Sequence, residues 1–186
     1  MTAELPEGWV EADLPDVVEL NPPKPRSDEL SPNTPVSFIP MAGVEAENGT
    51  ITSTETRKFS EVRKGYTAFR NGDVILAKIT PCFENGKAAI ARNLTNGYGF
   101  GSTEFHVFRP TSAIIAEYLF HYLRQESFRT EAKEHLTSTA GQARLPTDYL
   151  RDVILPLPPL PLLPGGRSEA DVDRLSALSA ALWKEG

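Results

Sequence analysis

GDVILAKITPCFENGKAAI, residues 72–90, is the most informative stretch of this sequence. It opens with a Gly-Asp turn and continues as the apolar run Val74-Ile75-Leu76-Ala77, which predicts a buried strand. The following loop combines cationic, hydroxyl, aromatic and amide side chains: Lys78, Thr80, Phe83, Glu84, Asn85 and Lys87. Lysines can bind phosphates, amides and hydroxyls can bind base edges, and an aromatic ring can pack on DNA. The stretch therefore indicates either a surface that reads nucleic acid or an ordinary solvated hairpin loop.

Outward from this strand, short apolar runs bounded by turn residues predict further strands up to residue 108. These runs begin near Trp9 and cover residues 36–40, 87–92 and 104–108, and residues 46–57 read as a polar loop. After Pro110 the apolar residues recur at helical spacing, from Ile114 to Leu123 and on to Leu136, with a break near Ser127. A strand is predicted at 153–157 and a short C-terminal helix after Gly166. Strands followed by helices indicate the α+β class, with a twisted, mostly antiparallel sheet and flanking helices.

Composition and charge limit the classes of protein to which this chain can belong. The 186 residues carry a formal net charge of −6, 40% hydrophobic residues and one cysteine, so the sequence predicts one domain of globular composition without disulfides. We expect a cytoplasmic protein, because the N-terminus lacks a basic-then-apolar signal and no apolar run approaches membrane-spanning length. Residues 57–92 nevertheless hold eight basic residues against three acidic ones. This local excess favours a confined face that contacts phosphates, although a solvated basic surface has the same composition.

Catalytic chemistry is hard to find in the sequence. Asn21-Pro22-Pro23 is followed by Lys24, whereas amino-methyltransferases need an aromatic residue there to stack on the flipped base. The three histidines have no metal-site spacing, and no glycine-rich phosphate loop or nucleophile elbow is present. We therefore predict a non-catalytic protein without a cofactor or metal of its own.

Two further polar clusters have both a functional and a structural interpretation. GYGFGSTEFHVFR, residues 97–109, places three glycines before Ser102 and Thr103, which suits either a phosphate or base contact or a tight hairpin. TSTAGQARL, residues 137–145, places Gln142 and Arg144 beside Gly141. Glutamine can pair with adenine and arginine with guanine, but the same segment could be a helix C-terminal cap.

Taken in order, five motifs resemble a target recognition domain of type I restriction–modification specificity subunits. They are LPEGW (5–9), GDVILAKITPCFENGKAAI (72–90), GFGSTEFHVFRP (99–110), TAGQARL (139–145) and ILPLPPL (154–160). The resemblance implies a DNA reader that confers specificity on an adenine methyltransferase and, through it, on a complex with a motor-nuclease subunit. Such subunits usually carry two recognition domains separated by long helices that also dock the methyltransferase.

We accordingly expect residues 1–160 to form one recognition domain, and residues 161–186 to form a linker and a short helix in place of the long spacer. A chain with one such domain would be a half-subunit, a fragment or a fusion piece, and a half-subunit could pair as a homodimer. The expected DNA-binding residues are Arg57, Lys58, Arg63, Lys64, Lys78, Thr80, Phe83, Asn85, Lys87, Ser102, Thr103, Gln142 and Arg144. The alternative is a degenerate recognition domain that binds the methyltransferase as a protein-interaction module without reading DNA.

Overall fold

A computed structural model describes residues 5–139 and 141–159 of the chain. The elements are β1 (Val10–Asp13), α1 (Leu14–Val17), β2 (Val18–Leu20), β3 (Pro35–Ile39), β4 (Glu55–Lys58), α2 (Phe59–Val62), β5 (Thr67–Arg70), β6 (Val74–Ala77), β7 (Ala88–Ile90), β8 (Tyr98–Gly101), β9 (Phe105–Pro110), α3 (Ala116–Arg124), α4 (Glu126–Lys133), β10 (Thr137–Thr139), β11 (Gln142–Arg144), α5 (Thr147–Arg151) and β12 (Ile154–Leu157).

Two four-stranded sheets form the centre of the molecule. The first has the strand order β2-β9-β6-β7 and the second the order β4-β3-β8-β5. The pairing of β3 with β8 is parallel, whereas the other named pairings among the described strands are antiparallel. The remaining strands form two antiparallel ribbons, one of β1 with β12 and one of β10 with β11.

The alternation of side chains along β6 explains its continuous apolar sequence. Ile75 lies in a core cluster that also contains Ile39 and Phe69 of the second sheet, so this cluster packs between the sheets. Val74 and Leu76 lie in a different cluster with residues of α3 and α4. Because neighbouring residues of a strand face opposite sides, a strand buried on both faces must be apolar throughout.

The outer layers are formed by helices. On the first sheet, α3 and α4 bury an apolar face that includes Leu119, Leu123 and Phe128. On the second sheet, the short helix α2 contributes Phe59 and Val62 to a cluster with Phe100 of β8. The chain is thus layered as helices, sheet, sheet and a short helix.

The structure confirms the α+β class and the antiparallel character of the sheet, and it adds a second sheet. It also confirms a helical break near Ser127, because Gln125 separates α3 from α4. Part of the expected polar loop at 46–57 is instead strand β4, and the segment around Gly141 is a β-ribbon rather than a helix cap. The predicted C-terminal helix lies outside the described residues.

Candidate nucleic-acid interface

Several strand ends meet at one edge of the two sheets. The start of β5 pairs with the end of β8 through Thr67 and Gly101, and the end of β6 pairs with the start of β9 through Ala77 and Phe105. A cleft of about 190 Å³, here called the edge cleft, opens at this edge. It is lined by Asn21, Pro22, Lys24, Thr67, Ala68, Lys78, Thr103, Phe105, His106, Val107 and Thr147.

Asn21 and His106 form part of the wall of the edge cleft. Asn21 has a positive φ of 51°, its side-chain oxygen accepts a hydrogen bond from the Val107 N–H at 2.9 Å, and its Nδ2 lies 3.2 Å from Nδ1 of His106. The other ring nitrogen of His106 lies 2.8 Å from the Leu145 carbonyl oxygen. Since the Asn21 amide donates to Nδ1 and the carbonyl accepts from Nε2, the imidazole is neutral with its proton on Nε2.

The environment of His106 keeps its ring neutral. Burial, opposed by the hydrogen bond to Leu145 and reinforced by nearby Lys78, lowers the pKa of His106 to about 4. The Asn-Pro-Pro sequence therefore has a structural role here, because its asparagine continues the pairing of β2 with β9 and orients the histidine.

Lys78, Ser102 and Thr103 come together from two turns. Lys78 and Thr103 both line the edge cleft, and the Lys78 N–H donates to the Glu104 carbonyl at 2.9 Å. Ser102 is adjacent, and its hydroxyl accepts from the Glu104 N–H at 3.1 Å, which forms the tight turn between β8 and β9. The cleft thus presents an ammonium group and a hydroxyl at the point where two sheets end.

The β10–β11 ribbon borders the same edge. Thr80 N–H donates to the Ala143 carbonyl at 2.9 Å, and the Thr80 hydroxyl lies 3.2 Å from the Ala143 N–H, so Thr80 anchors the ribbon. Gln142 is exposed on the ribbon. Arg144 makes a bidentate ion pair with Glu104, which raises the pKa of its guanidinium. Gln142 and Arg144 are therefore near Lys78 in space, although more than 60 residues separate them in sequence.

The four basic residues that the sequence predicts as phosphate contacts do not lie together at the cleft. Arg57 stacks over the Phe38 ring at 3.7 Å and pairs with Glu55 at 2.7 Å. Lys58 pairs with Pro35 at the start of β3. The cleft edge lies at the other end of β3, where Ile39 pairs with Gly101. Arg63 and Lys64 are exposed and immediately precede β5, which begins at the cleft.

In the loop after β6, Phe83 contradicts the sequence interpretation, whereas the DNA contacts expected of Asn85 and Lys87 stay predictions. Phe83 is fully buried in the core with α3 and α4, so its ring cannot pack on DNA; the loop folds inward to fill the helical core. The Lys87 ammonium donates to the Met41 carbonyl at 3.1 Å. Asn85 is exposed, in a turn whose neighbours Glu84 and Gly86 accept hydrogen bonds from the guanidinium groups of Arg129 and Arg124.

The basic residues of positions 57–92 do not form one continuous face. Lys78 follows the end of β6, whereas Arg70 and Arg92 lie at the other end, where the Gly72 N–H donates to Ala91. Arg70 and Arg92 are also engaged, by Glu29 and Glu117. Counting charges along the sequence could not separate the two ends, because a strand of only four residues places the turns before and after it at opposite ends of the sheet.

Several residues that line the cleft are not among the DNA-binding residues that the sequence predicts. Asn21, Lys24, Thr67, His106 and Thr147 line the cleft with Lys78 and Thr103. The signal that could have revealed Asn21 is an asparagine at the end of an apolar strand and before two prolines, where a special backbone conformation is common. Among residues 5–139 and 141–159, no group of three or more His, Cys, Asp or Glu side chains could hold a metal ion. No described helix has the length and apolar character needed to traverse a bilayer.

Comparison with known proteins identifies a sequence family and two similar proteins. Residues 6–185 match a sequence family described as "Type I restriction modification DNA specificity domain". The specificity subunits of the type I restriction enzymes EcoAI and EcoEI, both from Escherichia coli, are 42% and 38% identical over 158 and 157 residues. These matches cover 84% of this chain and 26% of each relative, so the chain spans about a quarter of their length.

Solved structures show the same fold. The HsdS subunit from Thermoanaerobacter tengcongensis matches with a TM-score of 0.70 and 22% identity, over 99% of this chain and 44% of that one. A chain solved in work on complex assembly and conformational transition of the type I R-M system also has a TM-score of 0.70 and 22% identity, over 98% of this chain and 44% of its own length.

Proposed function

This chain belongs to the type I restriction modification DNA specificity domain family, and from that premise we propose that it is a sequence-specific reader of double-stranded DNA. In this proposal it confers target specificity on an adenine methyltransferase and performs no catalysis itself. The partners are a methyltransferase subunit, which supplies the methyl-donor cofactor, and a motor-nuclease subunit. Residues 1–160 are the recognition domain, and residues 161–186 connect it to the rest of the assembly.

The observation that carries the proposal is the convergence of unrelated segments at the edge cleft. Lys24 and Lys78 bring positive charge to the cleft, and Thr103 brings a hydroxyl, while the adjacent ribbon presents Gln142 and Arg144. Loops held at the end of a rigid sheet are well suited to binding, because the scaffold fixes their positions. The cleft itself is too small for a duplex, so the DNA would lie across the edge, with one phosphate or base edge entering the cleft.

The chemistry of each side chain assigns it a type of DNA contact in this proposal. Lys24 and Lys78, with Arg63 and Lys64 before β5, provide phosphate contacts that position the duplex. Ser102, Thr103, Gln142 and Arg144 supply the donors and acceptors that can distinguish bases. The other expected residues play supporting or peripheral roles in this arrangement. Arg57, Thr80 and Lys87 make contacts within the protein, and Lys58 and Asn85 are not among the residues that line the cleft.

A charge-matched pair of double variants tests the interface. Lys24→Ala with Lys78→Ala removes two cleft cations, whereas Arg92→Ala with Lys133→Ala removes two cations that pair with Glu117 and Glu84. Binding to a pool of random duplexes is measured between low and moderate salt. We expect the cleft variant to bind more weakly and to reduce the slope of log affinity against log salt by about 2, since each phosphate contact contributes about 0.9. The control should retain the wild-type slope.

Two outcomes would contradict the proposal. If both variants change the slope equally, the effect comes from net charge and the edge cleft is not the interface. If the wild-type chain shows no salt-dependent binding to duplex DNA, the DNA-reading function is wrong. The protein-interaction alternative, which the net charge of −6 favours, would then be tested by binding to the methyltransferase subunit alone.

A further inference from the structure

The ion pair between Arg144 and Glu104 leaves one defined side of the guanidinium open. Nε of Arg144 lies 3.2 Å and 3.0 Å from the two carboxylate oxygens, and Nη2 lies 3.0 Å from Oε1. The carboxylate thus occupies the side of the guanidinium formed by Nε and Nη2. Arg144 and Glu104 keep 33% and 24% of their side chains exposed, so the pair lies at the surface rather than in the core.

Five N–H groups of a guanidinium lie in one plane, and Glu104 uses two of them. The remaining three are both hydrogens of Nη1 and the outer hydrogen of Nη2. Within the described part of the chain, no residue accepts a hydrogen bond from Nη1. Nη1 and Nη2 therefore present two nearly parallel donors, which is the arrangement that binds O6 and N7 of guanine in the major groove.

Both residues are anchored through their backbones. Arg144 forms a bridge with Ile79, and the next N–H, that of Leu145, donates to the Lys78 carbonyl at 2.8 Å. Glu104 is held on the opposite side of Lys78, whose N–H donates to the Glu104 carbonyl at 2.9 Å. The ends of β6, β9 and β11 thus fix the pair, and an arginine oriented before binding loses less rotamer entropy when it contacts its ligand.

The charge of the pair argues against a phosphate contact. Glu104 neutralises the Arg144 cation and would repel a phosphate brought to the same guanidinium. A neutral pair also releases few counterions, so it adds little sequence-independent affinity. A base edge has acceptor atoms without a full negative charge, and it avoids this repulsion.

Building on the proposed function, we propose that Arg144 reads one guanine of the DNA target and that Glu104 is its positioning residue. The guanidinium donates from Nη1 and Nη2 to O6 and N7 of the base while Glu104 retains the Nε side. Lys78, in contrast, contacts phosphate.

Selection from a randomised duplex library tests this assignment with the full chain. Wild type should enrich a motif that contains an essential guanine, and Arg144→Ala should lose the preference at that one base pair while it retains the others. Affinity for the selected site should fall about tenfold to a hundredfold, with an unchanged salt slope. Arg144→Lys should retain only part of the preference for guanine, because an ammonium can contact the same acceptors but lacks the planar fork that Glu104 holds in place. Glu104→Ala, which retains Arg144, should reduce discrimination at the same position.

A base analogue separates reading from folding. Replacing the selected guanine with 7-deazaguanine, which lacks the N7 acceptor, should weaken wild-type binding and leave Arg144→Ala binding unchanged. Glu104→Gln retains a side-chain oxygen for Nε, so its discrimination at the guanine position should lie between that of wild type and that of Glu104→Ala.

Three results would contradict these assignments, and they can be told apart. A uniform loss of affinity across all sequences in Arg144→Ala, with a reduced salt slope, would assign Arg144 to phosphate and overturn the inference while DNA reading stands. Equal sensitivity of wild type and Arg144→Ala to the analogue would also overturn it. Failure of the wild-type chain to bind any duplex would overturn the proposed function together with this assignment.

Discussion

Individual polar side chains in this protein act mainly by joining distant parts of the chain. The amide of Asn21 contacts both Val107 and His106, and His106 in turn contacts Leu145. His106 is buried, and a buried polar group costs free energy when it lacks a partner. Three segments must therefore dock correctly before this network is satisfied, and the wall of the edge cleft is set by the same contacts.

His106 makes the stability of the fold depend on pH. Its pKa is about 4 in the folded chain, against 6.5 for the unperturbed group, so the unfolded state binds more protons between these values. The contribution of a neutral His106 is complete above about pH 6.5 and is lost as the pH falls toward 4. The size of this contribution is on the order of 3 kcal/mol.

Urea unfolding of wild type and His106→Gln at several pH values between 7 and 4 measures this effect. The difference in unfolding free energy between the two proteins should change by that amount in favour of the variant as the pH falls, because glutamine does not titrate. Comparing the two proteins cancels the contributions of the carboxylates. A difference that stays constant over the whole range would show that His106 does not couple protonation to folding.

Among the elements, β8 shows why a glycine-rich strand is required in the second sheet, between β3 and β5. A Cβ at Gly99 would lie 2.2 Å from Cε2 of Phe69, and one at Gly101 would lie 2.4 Å from the Ile39 carbonyl oxygen. These glycines allow β3 and β5 to approach β8 while the Phe69 ring lies across the backbone. Packing therefore accounts for Gly99 and Gly101, whereas Gly97 is favoured by its positive φ of 78° in the turn before β8.

Gly99→Ala should destabilise the domain by about 1–3 kcal/mol, the usual cost of forcing extra volume into a packed core. The measurement is the midpoint of urea unfolding. Phe69→Leu removes the ring that the new methyl group would contact, and it should itself destabilise the core. In the double variant the combined loss should be smaller than the sum of the two single losses, because the residues are in direct contact. Strict additivity would show that the Phe69 ring is not the obstacle.

At the scale of the whole molecule, the two sheets connect three core clusters into one unit. β6 contributes to two of the clusters, and β3 and β8 contribute to the layer beneath α2. β1 pairs with β12, so the two ends of the described chain meet beside α3, where the Tyr122 hydroxyl lies 3.3 Å from the Ile154 carbonyl. Because each core cluster shares a strand with the next, β6 between the first two and β3 between the second and third, the domain should unfold as a single cooperative unit.

Adjacent residues of β12 offer a matched test. Leu155 is fully buried and Ile154 is 56% exposed. Leu155→Ala should lower the unfolding free energy by about 2–5 kcal/mol, and Ile154→Ala should change it by less than about 1 kcal/mol. Far-ultraviolet and near-ultraviolet circular dichroism should report the same transition in both variants. Separate transitions for the two signals would indicate that the helical layer unfolds independently of the sheets.

Local patterns predicted much of the fold but not its pairing. The apolar run of β6, the helical spacing of α3 and the strand β12 are visible in the sequence because each depends on neighbouring residues. For most of strand β4 the sequence predicts a loop, because Glu-Thr-Arg-Lys has no apolar residue. Its place in the sheet is set by pairing with β3. The assembly of strands into two sheets likewise depends on contacts between distant segments.

The sequence by itself determined the α+β class, the main strands and helices, and the motifs that identify the family, because these follow from residue type and short-range spacing. Only the tertiary structure decided which polar side chains are available at the edge cleft. Phe83 is buried, Lys87 bonds a carbonyl 46 residues away, and Arg144 pairs with a carboxylate 40 residues away. A side chain's availability depends on partners that the fold brings near, and its own position in the sequence carries no record of them.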